Sequence, residues 1–171
     1  MNQKYVLQRV VLFLILISNI GCDQWSKEIV RHQVDENQII PVISSYFTIT
    51  KVENTGAFLS AGSDLPEFLK FVLLAFIPVL SLSFGLLYLF KRKDLSWLSG
   101  IALAFAIGGG IGNIYDRIIF GSVTDFMHLD FGIFQTGIFN MADVSIMFGM
   151  LLFLLQSFIQ RSSSSNTIAK S

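Results

Sequence analysis

Charged side chains fall along this 171-residue chain in clusters separated by long gaps. No Asp, Glu, Lys or Arg occurs from Val10 to Cys22, from Phe71 to Phe90 or from Leu95 to Tyr115, and from Phe131 to Gln160 the sole charged residue is Asp143. A helix that crosses ~30 Å of hydrocarbon needs about 20 mostly apolar residues. The gaps therefore predict membrane spans near residues 6–24, 68–90, 96–118 and 138–159. Pro78 falls inside the second, where packing on neighbouring helices tolerates a kink. Between the spans the pattern changes. Gln38–Ile43, Tyr46–Val52 and Asp125–Asp130 carry β-branched and aromatic residues, partly alternating, and predict short strands. Gly62-Ser63-Asp64-Leu65-Pro66-Glu67 reads as a helix start leading into span two.

Composition agrees. Apolar residues make up 53% of the chain and charged residues 14%, against roughly 25% charged in a soluble domain. Twelve basic and twelve acidic side chains cancel, which argues against a nucleic-acid partner. One cysteine excludes a disulfide framework and a cysteine-rich zinc site. Lys4, Arg9, Lys91, Arg92, Lys93, Arg161 and Lys170 fall on one side of a four-span chain with Asp94, leaving five basic and eleven acidic residues on or near the other. Positive loops stay cytoplasmic, so both termini are expected inside and segments 25–67 and 119–137 outside. The expectation is one domain, residues 1–161, followed by a disordered cytoplasmic tail, 162–171.

The N-terminus holds a decoy. Lys4 and Arg9, an apolar run and Ile20-Gly21-Cys22 imitate a lipoprotein signal sequence, but Asn19 replaces the usual leucine and three further spans follow. Cys22 is expected to be a small thiol buried in a helix.

Ionisable groups at membrane depth are costly and mark function by default. Asp143 lies early in span four, with Asn140 one turn before it. It is either part of a reaction site or a carboxylate held by a basic partner to fix helix packing. At the end of span three, Gly108-Gly109-Gly110-Ile111-Gly112 reads as close helix packing. Asn113, Asp116 and Arg117 follow at i, i+3, i+4. Arg117 either holds a carboxylate, a peptide carbonyl or a lipid head group, or snorkels while paired with Asp116. Asp23 and Lys27, i and i+4, read as a structural ion pair. Asn54-Thr55-Gly56-Ala57-Phe58 is either a turn with Gly56 at positive φ or a place where the Asn54 amide binds a substrate backbone. Asp125, just outside span three, is expected at the depth of Asp143. Two crowded carboxylates in a poorly solvated site cannot both ionise, and such a pair can activate a shared water against a peptide carbonyl without metal or cofactor.

Other readings are weaker. Asp125, His128 and Asp130 lack the helical ligand pair of a metal site, and no serine sits beside a lysine or histidine at a peptidase spacing. A small transporter or channel would also place Asp143 and Arg117 at depth, but the polar motifs gather toward one face.

Together, Asp23-Gln24-Trp25-Ser26-Lys27, Asn54-Thr55-Gly56-Ala57-Phe58, Gly112-Asn113-Ile114-Tyr115-Asp116-Arg117, Val123-Thr124-Asp125-Phe126 and Phe139-Asn140-Met141-Ala142-Asp143 closely resemble the motifs of signal peptidase II. This is the bacterial lipoprotein signal peptidase family of aspartic peptidases, and the resemblance spans residues 6–160. It implies an all-α integral membrane protein of four transmembrane helices, with a small β-cradle and a short helical lid on the outer face of the inner membrane. It implies cleavage of lipid-modified prolipoproteins on the amino side of the diacylglyceryl cysteine and sensitivity to globomycin-like inhibitors. Asp125 and Asp143 would be the catalytic pair. Asn54, Gly56, Asn113, Arg117 and Asn140 would line the site, and Asp23, Lys27 and Asp116 would support the framework, with membrane lipids around the bundle.

Overall fold

The computed structural model describes residues 3–36, 38–57 and 62–168, with 161–168 as backbone alone. Among the described residues, four helices are long and apolar enough to cross a membrane. They are α1 (Gln3–Gln33), α2 (Glu67–Lys91), α3 (Trp97–Phe120) and α4 (Met141–Ile168). A sheet of β1 (Ile40–Ile43), β2 (Phe47–Asn54) and β3 (Val123–Leu129) runs antiparallel in that order.

Local chemistry sets the ends. Ser96 caps α3, its Oγ accepting from Ser99 N at 3.1 Å. Gly121, at φ 76°, closes the same helix with its N–H on Arg117 O. Helix α2 begins at Glu67 behind Pro66, as the helix-start signal predicts. It contains a π-helical turn, Val72–Phe76, directly before Pro78.

Lipid is as apolar as leucine, so close packing and hydrogen bonds hold these helices together. Leu12, Leu16, Leu89, Ala104 and Ile107 form a core between α1, α2 and α3. The glycine run makes α3 the central helix, as the small-residue reading predicts. A Cβ on Gly108 would lie 2.9 Å from Asn19 of α1, and one on Gly110 2.9 Å from Leu82 of α2. A Cβ on Gly109 would strike Ala142 O of α4. At one end of the bundle, Tyr5, Gln8 and Arg9 of α1 donate to the carbonyls of Phe90, Leu95, Leu89 and Arg92. At the other, Val30 and Val34 of α1 pack against Phe126 of the sheet.

Four features depart from the sequence reading. Helix α1 runs past residue 24 to Gln33, because Asp23 and Lys27 cancel each other inside the bundle and do not end the span. Helix α4 continues to Ile168, across most of the expected disordered tail, since propagating an existing helix through serines costs little. Cys22 is exposed on the outside of α1. Gly62, Gly121 and Gly132 are the positive-φ glycines among the described residues, and Gly56 is not one of them. Residues 58–61, including Phe58, lie outside the described residues.

Candidate active site

Strand register places the first acid. Asn54 of β2 pairs with Val123 of β3, and Asp125 lies two residues further along β3, on the same face. The Asn54 side chain reaches across, its Nδ2 donating to Asp125 Oδ2 at 2.9 Å. The turn after Asn54 closes through the same amide. Nδ2 also donates to Ala57 O at 3.0 Å and Oδ1 accepts Gly56 N at 2.9 Å. This side-chain clasp replaces the positive-φ glycine expected there. Both amide protons are thereby engaged, and Asn54 orients Asp125.

The chain before α4 places the second acid. Phe139 O accepts from both Phe126 N and Met127 N, and Phe139 N donates to Met127 O at 2.9 Å. The residue before α4 is thereby pinned beside Asp125. Asn140 and Asp143 then cap the helix reciprocally. Asn140 Oδ1 accepts Asp143 N at 3.0 Å and Asp143 Oδ2 accepts Asn140 N at 3.1 Å. Asn140 Nδ2 donates to Asp125 Oδ1 at 2.6 Å. One residue thus ties both acids together, which spacing alone does not reveal.

Asn113 completes the cluster. Its Nδ2 donates to Asp143 Oδ1 at 2.9 Å, and its Oδ1 accepts from Asn140 Nδ2 at 3.1 Å and Lys27 Nζ at 3.0 Å. An ammonium only donates, so Lys27 dictates which end of the Asn113 amide faces Asp143. Asn140 is fully buried and Asp125 is 5% exposed. Burial pushes the Asp125 carboxyl up to about 6, opposed by the Asn54 and Asn140 amides and assisted by the nearby Asp143.

Behind this cluster lies a fully enclosed ionic one. Lys27 Nζ meets Asp23 Oδ2 at 2.9 Å and Asp116 Oδ2 at 3.0 Å, and all three side chains are buried. Asp23 and Lys27 form the ion pair that their i, i+4 spacing predicts. Asp23 Oδ1 also accepts Ala142 N at 2.9 Å, tying α1 to the start of α4. Gly112 is required here, since a Cβ on it would overlap the Asp23 carboxylate.

Asn113 and Asp116 share Lys27, but Arg117 does not join them. Asp116 faces α1, where Lys27 and Arg31 hold it, while Asn113 and Arg117 line the cavity. Adjacent helical residues diverge by about 100°, so i+3 and i+4 part at the edges of a face. The expected Asp116–Arg117 pair does not form. Arg117 does grip a peptide carbonyl, donating to Gly56 O of this chain at 2.8 Å.

Sequence reasoning missed Gln24 and Arg31. Gln24 Nε2 reaches Asp23, Gly112 O and Asp116, and Arg31 reaches Asp116 and Thr124. The i, i+4 series Asp23–Lys27–Arg31 is visible once α1 is known to continue past residue 24. Among the described residues no group of three His, Cys, Asp or Glu is placed to hold a metal, so Asp125, His128 and Asp130 do not converge.

A cavity of about 890 Å³ opens onto the two acids. Asn54, Asn113, Arg117, Asp125, Asn140 and Asp143 supply its polar wall, and Leu73, Leu74, Ile77, Pro78, Ile114, Ile146, Met147 and Met150 much of its apolar wall. Among the described residues neither Asp125 nor Asp143 forms an ion pair. The site therefore offers two carboxylates, oriented by neutral amides, beside an apolar space large enough for a lipid-bearing ligand.

Comparison with known proteins adds a family. The model of signal peptidase (SPase) II matches residues 14–159. A lipoprotein signal peptidase of Streptococcus thermophilus is 36% identical over 149 residues, covering 87% of this chain and 93% of the relative. One from Borrelia turicatae is 31% identical and covers 96% of this chain and 98% of its own. A solved bacterial membrane enzyme shares the fold with a TM-score of 0.78 at 24% identity, covering 90% of each chain. A second gives 0.70 at 22%, over 85% of this chain and 91% of the other.

Proposed function

This chain belongs to the signal peptidase II family, the lipoprotein signal peptidases, and from that premise we propose that Asp125 and Asp143 are its catalytic pair. It is a multi-pass peptidase of the bacterial inner membrane that processes lipoprotein signal peptides. One observation carries the mechanistic reading. Two carboxylates on one cavity wall are joined through Asn140 and paired with no cation among the described residues.

The reaction follows from that arrangement. Asp125, whose proton burial retains to about pH 6, donates to the oxygen of the scissile carbonyl. Asp143 takes a proton from a water held between the carboxylates, and the water oxygen adds to the carbonyl carbon. When the tetrahedral diol collapses, the carbon–nitrogen bond breaks. Asp143 returns its proton to the leaving amine while Asp125 recovers one from the diol, so the pair ends as it began. Asn54, Asn113 and Asn140 hold both carboxylates through these transfers without fixing their charge. Arg117 supports the Gly56 turn that forms one edge of the site.

The substrate is a lipid-modified prolipoprotein, cut on the amino side of its diacylglyceryl cysteine. Its acyl chains occupy the apolar cavity wall, fixing the scissile bond at the depth of the acids and lowering the entropic cost of reaction. Globomycin-like inhibitors occupy the same space, and membrane lipids surround the bundle. Residues 1–161 form one functional unit with both termini cytoplasmic. The basic cluster around Arg9 and Lys91–Lys93 supports this orientation. Lys27 lies eighteen residues beyond Arg9 on α1, or about 27 Å at the helical rise, a separation that supports a site near the outer face.

The test uses purified protein in lipid with a diacylglyceryl-modified prolipoprotein and its unmodified precursor. The expected result is release of the signal peptide from the modified substrate alone, with product masses placing the cut before the modified cysteine. Cleavage elsewhere, or ion flux without cleavage, would contradict the reading.

A further inference from the structure

The π-helical turn of α2 is unused by the mechanism above, yet it walls the same cavity. In that turn Ile77 N–H donates to Val72 O, an i→i+5 bond. Pro78 follows within the first turn of the ensuing α-helix and has no N–H. The carbonyls of Leu73, Leu74 and Ala75 therefore outnumber the N–H groups left to reach them, both because the π turn inserts a residue and because Pro78 withholds a donor. Leu73, Leu74, Ile77 and Pro78 all line the cavity, with Asp125 and Asp143 on its other walls. Carbonyls without donors are costly at membrane depth unless a cavity serves them, and π turns gather at functional sites.

We propose that the π turn and Pro78 together form a backbone acceptor platform, on which the carbonyls of Leu73 and Leu74 receive peptide N–H groups of the bound signal peptide as its helix unwinds at the cleavage site. This rests on the peptidase reading. It assigns a positioning role to α2, opposite the polar wall made by β2, β3, α3 and α4. An unwound substrate must satisfy its own N–H groups in a water-poor site. The asparagine oxygens are already engaged, Asn54 Oδ1 by Gly56 N, Asn140 Oδ1 by Asp143 N, and Asn113 Oδ1 by Asn140 Nδ2 and Lys27 Nζ.

The experiment is a cycle between enzyme and substrate. Lipid-modified substrates carry single amide-to-ester replacements at successive bonds on the signal-peptide side, leaving the scissile bond intact, and each is compared with the all-amide substrate. At one or two positions the wild-type enzyme loses about 3- to 10-fold in kcat/KM, mainly through KM, as expected for one hydrogen bond. Pro78→Ala restores an intrahelical donor. It raises KM for the all-amide substrate by a similar factor with kcat within about twofold, and at those positions the ester then costs nothing further. If no ester position matters to the wild-type enzyme, the platform is excluded even should Pro78→Ala fail to fold. The platform also falls if the ester penalty persists undiminished in a folded Pro78→Ala protein. Failure to cleave the all-amide substrate would overturn the peptidase reading and this proposal with it.

Discussion

Asp23 and Asp116 lie on one side of Asn113, and Asp125 and Asp143 on the other, yet the two pairs of carboxylates are held in opposite ways. The first pair shares Lys27, with Arg31 on Asp116, and has no exposure. The second accepts hydrogen bonds from asparagine amides and the Asn140 backbone, and faces a cavity. A cation in contact favours the ionised form of a carboxylate. A neutral amide fixes its position and leaves its charge free to change, which proton transfer demands. The pairs are coupled in one direction, since Lys27 orients the Asn113 amide and that amide orients Asp143.

The largest perturbation should come from the closed pair. Lys27→Met leaves Asp23 and Asp116 buried together without their shared cation and frees the Asn113 amide to flip. A loss of about 3–5 kcal/mol is expected from breaking a buried ion pair, seen as a collapse of thermal stability in detergent. A stable Lys27→Met protein with normal activity would remove the distinction between the pairs.

Asp125, in the open pair, should make stability depend on pH. Burial keeps the Asp125 pKa near 6 in the folded protein, above the roughly 3.9 of an unfolded aspartate. The folded state thus holds this proton more tightly, and its stabilising contribution is present below about pH 4 and lost as pH rises through 6. Asp125→Asn lacks that loss. Its stability relative to wild type should improve by about 2–3 kcal/mol between pH 4 and pH 8, measured as the change in melting-temperature difference.

A finer probe is the basic limb of kcat/KM in the free enzyme, expected to start near pH 6 if Asp125 is the acid. Asn54→Ala removes an amide that favours ionised Asp125, so the limb should move upward while the rate falls by about 10- to 100-fold. A downward move would reverse the roles of the two acids. The smallest effect belongs to the exposed Arg92–Asp94 pair at 2.6 Å. Its hydrogen bond from Arg92 holds the Asp94 carboxyl below its ordinary range, yet solvent screening should leave Asp94→Asn indistinguishable from wild type in both stability and cleavage.

The sequence predicts the four spans because lipid removes charge from long stretches, and the strands because alternation survives at the surface. It also singles out Asp125, Asp143 and the asparagines, since polar groups at such depth need a reason. Partner choice was not legible. Lys27 finds Asn113 and Asp23 finds Ala142 across intervals that no local spacing encodes. Asp116 turned toward α1 and not to Arg117 because bundle packing, not helical spacing, decides which neighbour a face meets. The end of α1 was misplaced for a related reason. Asp23, Lys27 and Arg31 resemble the edge of a span until their mutual neutralisation is seen. The π turn leaves no mark beyond Pro78.

The central claim is that the amide-held acids do chemistry while the cation-held acids hold the fold. It is tested most directly by single-turnover cleavage of a lipid-modified prolipoprotein by Asp125→Asn and Asp143→Asn, with melting temperatures recorded alongside. Each variant should lose at least about 10²- to 10⁴-fold in rate while remaining as folded as wild type. Cleavage at near wild-type rate by either variant would contradict the account.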